Sequence, residues 1–402
     1  MPNSISPPIF VNELTAISGF EHLRIQDGVL NIEPANTEEI AAILRCADKG
    51  GFSVIPYGGG TKQSWGNPVQ PSVILHTHRI DTVLEHTWQD MTCTVEAGCL
   101  WSAMQSSLSN HGQFVALDPL WPDQATIGGV AATNDSGSLR LRYGSLRDLV
   151  IGMTVVLADG TIARSGGKVV KNVAGYDLHK LMTGAFGTLG IITEVTFRLY
   201  AIPKNVQSFT IFSPDVEPLG RLLQKLLDSH LSMQSLQLRS SLRGFDLDIK
   251  LATLPEVIND QASALVNLAQ SVQLEASSLN ADMWNARQEI FRETETFLIK
   301  ATMLPAEISH FATAIRALGG TSVTQAFGIM IASLPLDACR QLEYLREKLE
   351  AIRGSLTILR SPAGATAVAS TTPSDTLPLM RELKRSFDPN RILNPGRFLG
   401  GI

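Results

Sequence analysis

The chain is 402 residues long, with 44% hydrophobic and 18% charged residues and a formal net charge of −5. That composition fits a globular protein with a sizeable core divided over two or three domains, and it argues against intrinsic disorder. The slight acidic excess supplies no global attraction for nucleic acid or anionic lipid.

The first residues, "MPNSISPPIFVNELTAISGF", lack a basic segment followed by a continuous apolar run, so no signal peptide is expected there. The four cysteines, Cys46, Cys93, Cys99 and Cys339, have no C-x-x-C spacing and are too sparse for a disulfide framework, which points to a reducing compartment. Asn36 opens a capping-box pattern with Glu39, and Ile40, Ile43, Leu44 and Ala47 form a helical stripe that stops at Gly50-Gly51. "FSVIP" then reads as a strand that delivers "YGGGTK", and "SVILH" and "TCTVEAG" read as further strands. A helix follows, with Leu100, Met104 and Leu108 one turn apart.

Between residues 113 and 200 glycine, small residues and hydroxyls accumulate beyond what a core needs. One uncharged run there, "LMTGAFGTLGIIT", is too short and too rich in glycine to span a bilayer. From about residue 205, "QSFTIF" and "FDLDIKLA" alternate like half-buried strands. Leu219, Leu222, Leu223 and Leu226, and later Leu342, Leu345, Leu349 and Ile352, repeat like amphipathic helices, so a second domain built on an antiparallel sheet is expected.

Three glycine stretches carry the candidate chemistry. Gly58, Gly59 and Gly60 follow a strand, a placement that serves equally as a tight surface turn or as a loop whose backbone N–H groups meet an anion such as a pyrophosphate. The spacing is neither that of a Walker A loop nor that of a Rossmann dinucleotide turn. The second stretch, "DPLWPDQATIGGVAATNDSG", combines small residues, which let a long ligand lie flat, with Thr126, Asn134 and Ser136 as hydrogen-bonding groups. The third, "KNVAGYDLHKLMTGAFGTLGIIT", adds Gly184, Gly187 and Gly190 ahead of a β-branched strand.

At these stretches the sequence resembles the vanillyl-alcohol oxidase, or PCMH-type, FAD-binding superfamily, and within it the branch of D-lactate and glycolate dehydrogenases. The likeness implies an α+β fold, a two-subdomain FAD-binding domain with a smaller antiparallel-sheet cap. Boundaries follow from it: an N-terminal extension over 1–32, the FAD domain over 33–204, the cap over 205–380, and a C-terminal segment over 381–402 that returns to the FAD domain. It also implies that Gly58, Gly59, Gly60 and Thr61 meet the FAD pyrophosphate, that Pro119, Thr126, Gly128, Gly129, Asn134, Ser136 and Gly137 run along flavin and phosphates, and that Ile192 lies near the adenine. Thr61 occupies the place of the histidine to which some members attach their flavin, and no cysteine falls between Cys99 and Cys339, so noncovalent FAD is expected.

Catalytic members of this branch are expected to carry an H-x-G-D-G-N-x-H segment and an E-H-G in the cap, which hold a metal. Beyond residue 205 the histidines here are His230 and His310, and neither segment is present, so no metal is assigned. That pattern, with the ending "FDPNRILNPGRF", resembles the FAD-binding E-subunit family of bacterial glycolate oxidase, which works beside a larger flavoprotein subunit and an iron-sulfur subunit. The implied function is FAD-dependent glycolate oxidation with electrons passed to an iron-sulfur partner and a quinone, in the cytoplasm or peripheral on the inner membrane through those partners. A self-sufficient D-2-hydroxyacid dehydrogenase and a non-catalytic assembly scaffold stand as alternatives.

The catalytic residues themselves stay unassigned. Arg397, Asn394 and Arg142 are candidates because an arginine fork suits a substrate carboxylate, while the same tail residues serve equally as anchors. His76 and His78 lack a third ligand at recognisable spacing. Cys93 and Cys99 read as small buried hydrophobes, and Lys168, Lys171, Lys180 and His179 read as an anion site or a solvated basic face.

Overall fold

The computed structural model describes residues 8–168, 175–278, 281–362 and 376–402. Two compact units emerge, each drawn from separated stretches of chain. The first gathers the described residues of Met1–Asp135, Ser145–Ile202 and Thr371–Ile402, and the second those of Ser136–Gly144 and Pro203–Ser370.

Two sheets organise the first unit. One is four-stranded, in the order Leu23–Gln26, Val29–Ile32, Val73–His76, Val54–Tyr57, antiparallel in its first pair and parallel in the other two. The helix Thr37–Gly50 forms where its local code demands: the Asn36 side chain accepts from Glu39 N–H at 2.8 Å, and Gly51 closes the helix in the left-handed region at φ 67°. Its face of Ile40, Ile43, Leu44 and Ala47 is fully buried. The other sheet is five-stranded and antiparallel, in the order Val83–Thr87, Thr92–Glu96, Ile191–Arg198, Val150–Val156, Ile162–Gly166. Helix Trp101–Ser109 places Met104 and Leu108 in the same core, with the Trp101 ring edge-on to Phe197 at 5.8 Å.

The last part of the chain belongs to this first unit. Val54 N–H donates to the Ile392 carbonyl at 2.7 Å and Asn394 N–H to the Val54 carbonyl at 3.0 Å, so 392–394 continues the four-stranded sheet as a parallel bridge. A buried ion pair fixes the approach. Lys384 Nζ lies 2.5 Å from Asp388 Oδ2 and donates to the carbonyls of Thr188 and Leu393, while Asp388 accepts the N–H groups of Ile392 and Leu393. Burial holds Lys384 below the usual lysine value, against the pull of Asp388.

In the second unit an antiparallel sheet runs in the order Ser277–Ser278, Asn205–Ser213, Gly244–Thr253, Met233–Ser241, Thr321–Gln325, Ile329–Leu334, Phe297–Thr302, Ser355–Arg360. Alternation sends Phe209, Ile211, Leu236, Leu238, Leu247 and Ile249 to one face, where they pack with the leucine stripes of helices Val216–Leu227 and Cys339–Ala351. The opposite face carries Thr210, Gln237 and Arg239, all bonded to the fully buried carboxylate of Asp248.

Candidate functional site

A cleft lies within the first unit, lined by the glycine loop that follows Tyr57, by the start of helix Ile127–Thr133, and by Phe186, Ile192 and the tail residues Asn394 and Arg397. Strand Val54–Tyr57 delivers Gly58, Gly59 and Gly60 to its wall, and Thr61, Lys62 and Gln63 continue that wall. The glycines are required first by the protein's own packing. A Cβ on Gly59 would stand 1.7 Å from the Gln124 carbonyl oxygen, and one on Gly58 would stand 2.2 Å from Thr126 Oγ1. Gly60 takes φ +71°, which favours glycine. The first two glycine stretches thus interlock, and their bare backbone faces the cleft together.

Thr126 caps the short helix Ile127–Thr133 by accepting from Gly129 N–H at 3.3 Å, and Gly128 N–H donates to the Ala97 carbonyl at 2.8 Å. A Cβ on Gly128 would press on Ala97 at 2.9 Å. The third stretch enters through Phe186 and Gly187, and strand Ile191–Arg198 contributes Ile191 and Ile192. Gly187 has φ +68°, with Pro56 and the Asn394 amide where a side chain would go.

The C-terminal tail completes the cleft. Asn394 Nδ2 donates to the Phe186 carbonyl at 2.7 Å, while its Oδ1 is buried without a partner among the described residues. Arg397 is 6% exposed and donates to the Gln63 carbonyl at 2.5 Å, to the Trp65 carbonyl at 3.3 Å and to Gln63 Oε1. Burial lowers its basicity. No carboxylate among the described residues pairs with Arg397; it staples the tail to the glycine loop and lines the cleft in the same pose.

Of the expected site residues, Gly58, Gly59, Gly60, Thr61, Thr126, Gly128, Gly129, Ile192, Asn394 and Arg397 line the cleft. Pro119 and Asn134 do not, although Asn134 ends the short helix at φ 48° with a buried Oδ1 that has no partner among the described residues. Ser136 and Gly137 belong to the second unit, where the Ser136 carbonyl accepts from Arg287 at 2.7 Å and from Gln325 at 2.9 Å. Arg142 is also there, donating to the Ala252 carbonyl. Lys62, Tyr57 and Phe186 line the cleft without having been singled out from sequence. Lys62 was legible as the lysine of "GGGTK", but its burial was not.

The remaining candidates have other surroundings. His76 Nε2 lies 2.9 Å from Asn31 Oδ1, and His78 Nε2 lies 3.4 Å from Glu33. Cys93 and Cys99 are buried, and burial pushes the Cys93 thiol up to about 12. Lys168 pairs with Glu85 and Lys180 with Asp177, while His179 is buried beside Ser165. Lys171 lies outside the described residues.

The cleft fits an extended anionic cofactor. Among the described residues its charged lining residues are Lys62 and Arg397, with no carboxylate, and the glycine loop offers main chain rather than side chain. The Asn394 Oδ1 supplies a buried acceptor in want of a donor.

Comparison with known proteins agrees. Residues 30–166 match the family described as FAD binding domain, and residues 367–398 match that described as FAD linked oxidases, C-terminal domain. The chain therefore carries an FAD-binding domain and the C-terminal segment of FAD-linked oxidases. Over 197 residues it is 34% identical to the glycolate oxidase subunit GlcD of Bacillus subtilis (strain 168), covering 49% of this chain and 42% of that protein. Over 174 residues it is 38% identical to the mitochondrial D-lactate dehydrogenase [cytochrome] of Arabidopsis thaliana, covering 43% of this chain and 30% of that protein. The chain thus spans less than half the length of these two relatives. A D-lactate dehydrogenase of Archaeoglobus fulgidus is 26% identical across 93% of this chain and 92% of its own. Among solved structures, p-cresol methylhydroxylase superposes with a TM-score of 0.78 at 16% identity, covering 99% of this chain and 98% of that one. The 4-ethylphenol oxidase of Gulosibacter chungangensis gives 0.77 at 18%, with the same coverage. These likenesses establish the fold class expected from sequence, an α+β PCMH-type FAD-binding fold.

Proposed function

We propose that this chain holds FAD noncovalently in the cleft and serves the oxidation of a small 2-hydroxyacid, glycolate or D-lactate, as the FAD-binding E-type subunit of a glycolate dehydrogenase. The observation that carries the proposal is the cleft built from two interlocked glycine stretches and the C-terminal tail, whose lining among the described residues includes no carboxylate. When bound, FAD supplies the acceptor for the hydride of the hydroxyl-bearing carbon. This chain's residues would hold and orient it: the backbone of Gly58, Gly59 and Gly60 lines the cleft where it would meet the phosphates, Thr126 and Asn394 would offer hydrogen-bonding groups, and Arg397 fixes the wall by its bonds to Gln63 and Trp65.

The larger flavoprotein subunit would then supply the base and metal that the hydroxyl proton requires, and an iron-sulfur subunit would take the electrons to a quinone. The relative named as a glycolate oxidase subunit supports that arrangement. The D-lactate dehydrogenase of Archaeoglobus fulgidus, matched along nearly its whole length, favours a second reading, a self-sufficient D-2-hydroxyacid dehydrogenase. Glycolate and D-lactate differ by one methyl group, worth only about 1–3 kcal/mol of discrimination.

An anaerobic absorbance titration separates the readings. The FAD-loaded chain is expected to keep its flavin oxidised on addition of glycolate or D-lactate and to be bleached once the partner subunits are added. Bleaching of the isolated chain would establish the self-sufficient enzyme instead, and folded protein that retains no FAD would overturn both.

A further inference from the structure

Among the described residues two cations line the cleft, and they are not alike. Lys62 already has its counter-charge, since its Nζ lies 3.2 Å from Oδ2 of Asp135 and both side chains are almost wholly buried. Arg397 has no carboxylate beside it among the described residues: its Nη1 donates to the carbonyls of Gln63 and Trp65 and its Nη2 to Gln63 Oε1, all of them neutral acceptors. A guanidinium carries five N–H groups, and these contacts engage three. Burial lowers the basicity of Arg397 with no carboxylate to pull it back, in contrast to Lys384, where Asp388 opposes the same effect.

Gln63 fixes where that charge sits. Its N–H donates to the Gly60 carbonyl at 3.4 Å and its Nε2 to the Pro56 carbonyl at 3.2 Å, while its carbonyl and Oε1 receive the guanidinium. The cation is thereby tied to both ends of the loop that holds Gly58 and Gly59, whose main chain lines the same cleft. A buried lysine can shed its proton to escape the cost of desolvation, whereas an arginine keeps its charge, so that cost stands until an anion offsets it. Stapling the tail through neutral oxygens does not require a net charge.

We propose that Arg397 is the counter-cation of the cofactor's diphosphate, brought to the glycine loop by the C-terminal tail, so that diphosphate binding and docking of the tail reinforce each other; the inference rests on the FAD reading above. Arginine and phosphate pair through charge-assisted bonds, and the main-chain N–H groups of the loop serve the same anion. A substrate carboxylate is the other anion an arginine suits. In FAD, however, the ribityl chain separates the diphosphate from the reacting ring, so a cation held at the phosphate loop lies away from the carbon that is oxidised. By linkage, whatever the docked tail adds to diphosphate affinity the diphosphate returns as stability of the docked tail.

The test takes the two halves of the cofactor separately. The full chain, stripped of FAD, is titrated calorimetrically with ADP, inorganic pyrophosphate and riboflavin as wild type, Arg397→Met and Arg397→Lys, each verified as folded by its thermal melt, and amide hydrogen exchange is followed across residues 392–398. Arg397→Met is expected to weaken ADP and pyrophosphate by about tenfold or more while riboflavin stays within about twofold, and Arg397→Lys, which keeps the charge, to recover most of the loss. Saturating ADP is expected to slow exchange across 392–398 of the wild type by about tenfold or more, and glycolate to leave it unchanged. Equal losses for ADP and riboflavin would reduce Arg397 to an anchor and overturn the proposal. So would undiminished ADP binding by Arg397→Met, or a tail protected by glycolate instead of ADP, which would make the arginine a substrate clamp. Should Arg397→Met not fold, the wild-type exchange decides alone, and a tail that ADP fails to protect overturns the proposal. A chain that binds neither FAD nor ADP would overturn the cofactor reading and this one with it, whereas FAD binding with a tail indifferent to ADP would overturn this one only.

Discussion

At Gly59 the space for a side chain is already taken by backbone, since an added Cβ would stand 1.7 Å from the Gln124 carbonyl oxygen. A carbonyl inside an interlocked loop cannot swing aside as the end of a long side chain can. Gly59→Ala is expected to destabilise the first unit by about 1–3 kcal/mol or more and to cut FAD retention, checked by chemical denaturation and by the flavin absorbance of the purified protein. Gly167→Ala serves as the control: nothing lies within 4 Å of its added Cβ and its φ is not positive, so its stability should stay within about 0.5 kcal/mol of wild type. Equal losses at both positions would refute the interlock. The sequence makes the need for glycine visible at Gly58, Gly59 and Gly60 but leaves the packing part of its cause unseen, because a close approach between loops some 65 residues apart leaves no mark on local pattern. The Lys62–Asp135 pair is hidden for the same reason, and so is the engagement of Arg397 by Gln63 and Trp65.

Among elements, those with a local code were the readable ones. Asn36 and Gly51 bound the helix Thr37–Gly50 through side-chain and backbone geometry that acts within one turn, and the leucine period of Val216–Leu227 is set by its own buried face. What the tail does was not readable in that way, because its partners lie far back in the chain. Asp388 accepts Ile392 N–H at 2.9 Å and Leu393 N–H at 2.8 Å while pairing with Lys384, and all of this is buried. Asp388→Ala leaves the Lys384 ammonium without a counter-charge and two N–H groups without acceptors. Breaking one side of such a pair costs about 3–5 kcal/mol. The variant is expected to lose that much in urea unfolding and to bind FAD more weakly, since Asn394 and Arg397 lose the turn that sets them on the cleft. Unchanged flavin affinity in a folded variant would separate the clasp from the site.

At the scale of the whole molecule, the first unit is closed by residues that follow the second in the chain. The strand Val54–Tyr57 takes its outer parallel neighbour from 392–394, and Asn67 Nδ2 donates to the carbonyls of Gly396 and Phe398 at 2.9 and 3.1 Å, so the wall of the cleft and the edge of a sheet depend on the same late segment. Exposing the Val54 N–H and carbonyl groups by removing that segment weakens the sheet where the glycine loop begins. Deletion of 376–402 is therefore expected to raise amide hydrogen exchange in Val54–Tyr57 at least tenfold, about 1.4 kcal/mol, while Thr321–Gln325 in the second unit keeps its protection. A synthetic peptide of residues 376–402 added in trans should restore both the protection and flavin retention, and the same peptide carrying Asp388→Ala should not. If the deletion instead loosened both units to the same degree, the tail would be a brace for the whole chain rather than a component of the cofactor domain, and the cleft would owe its shape to the glycine loops alone.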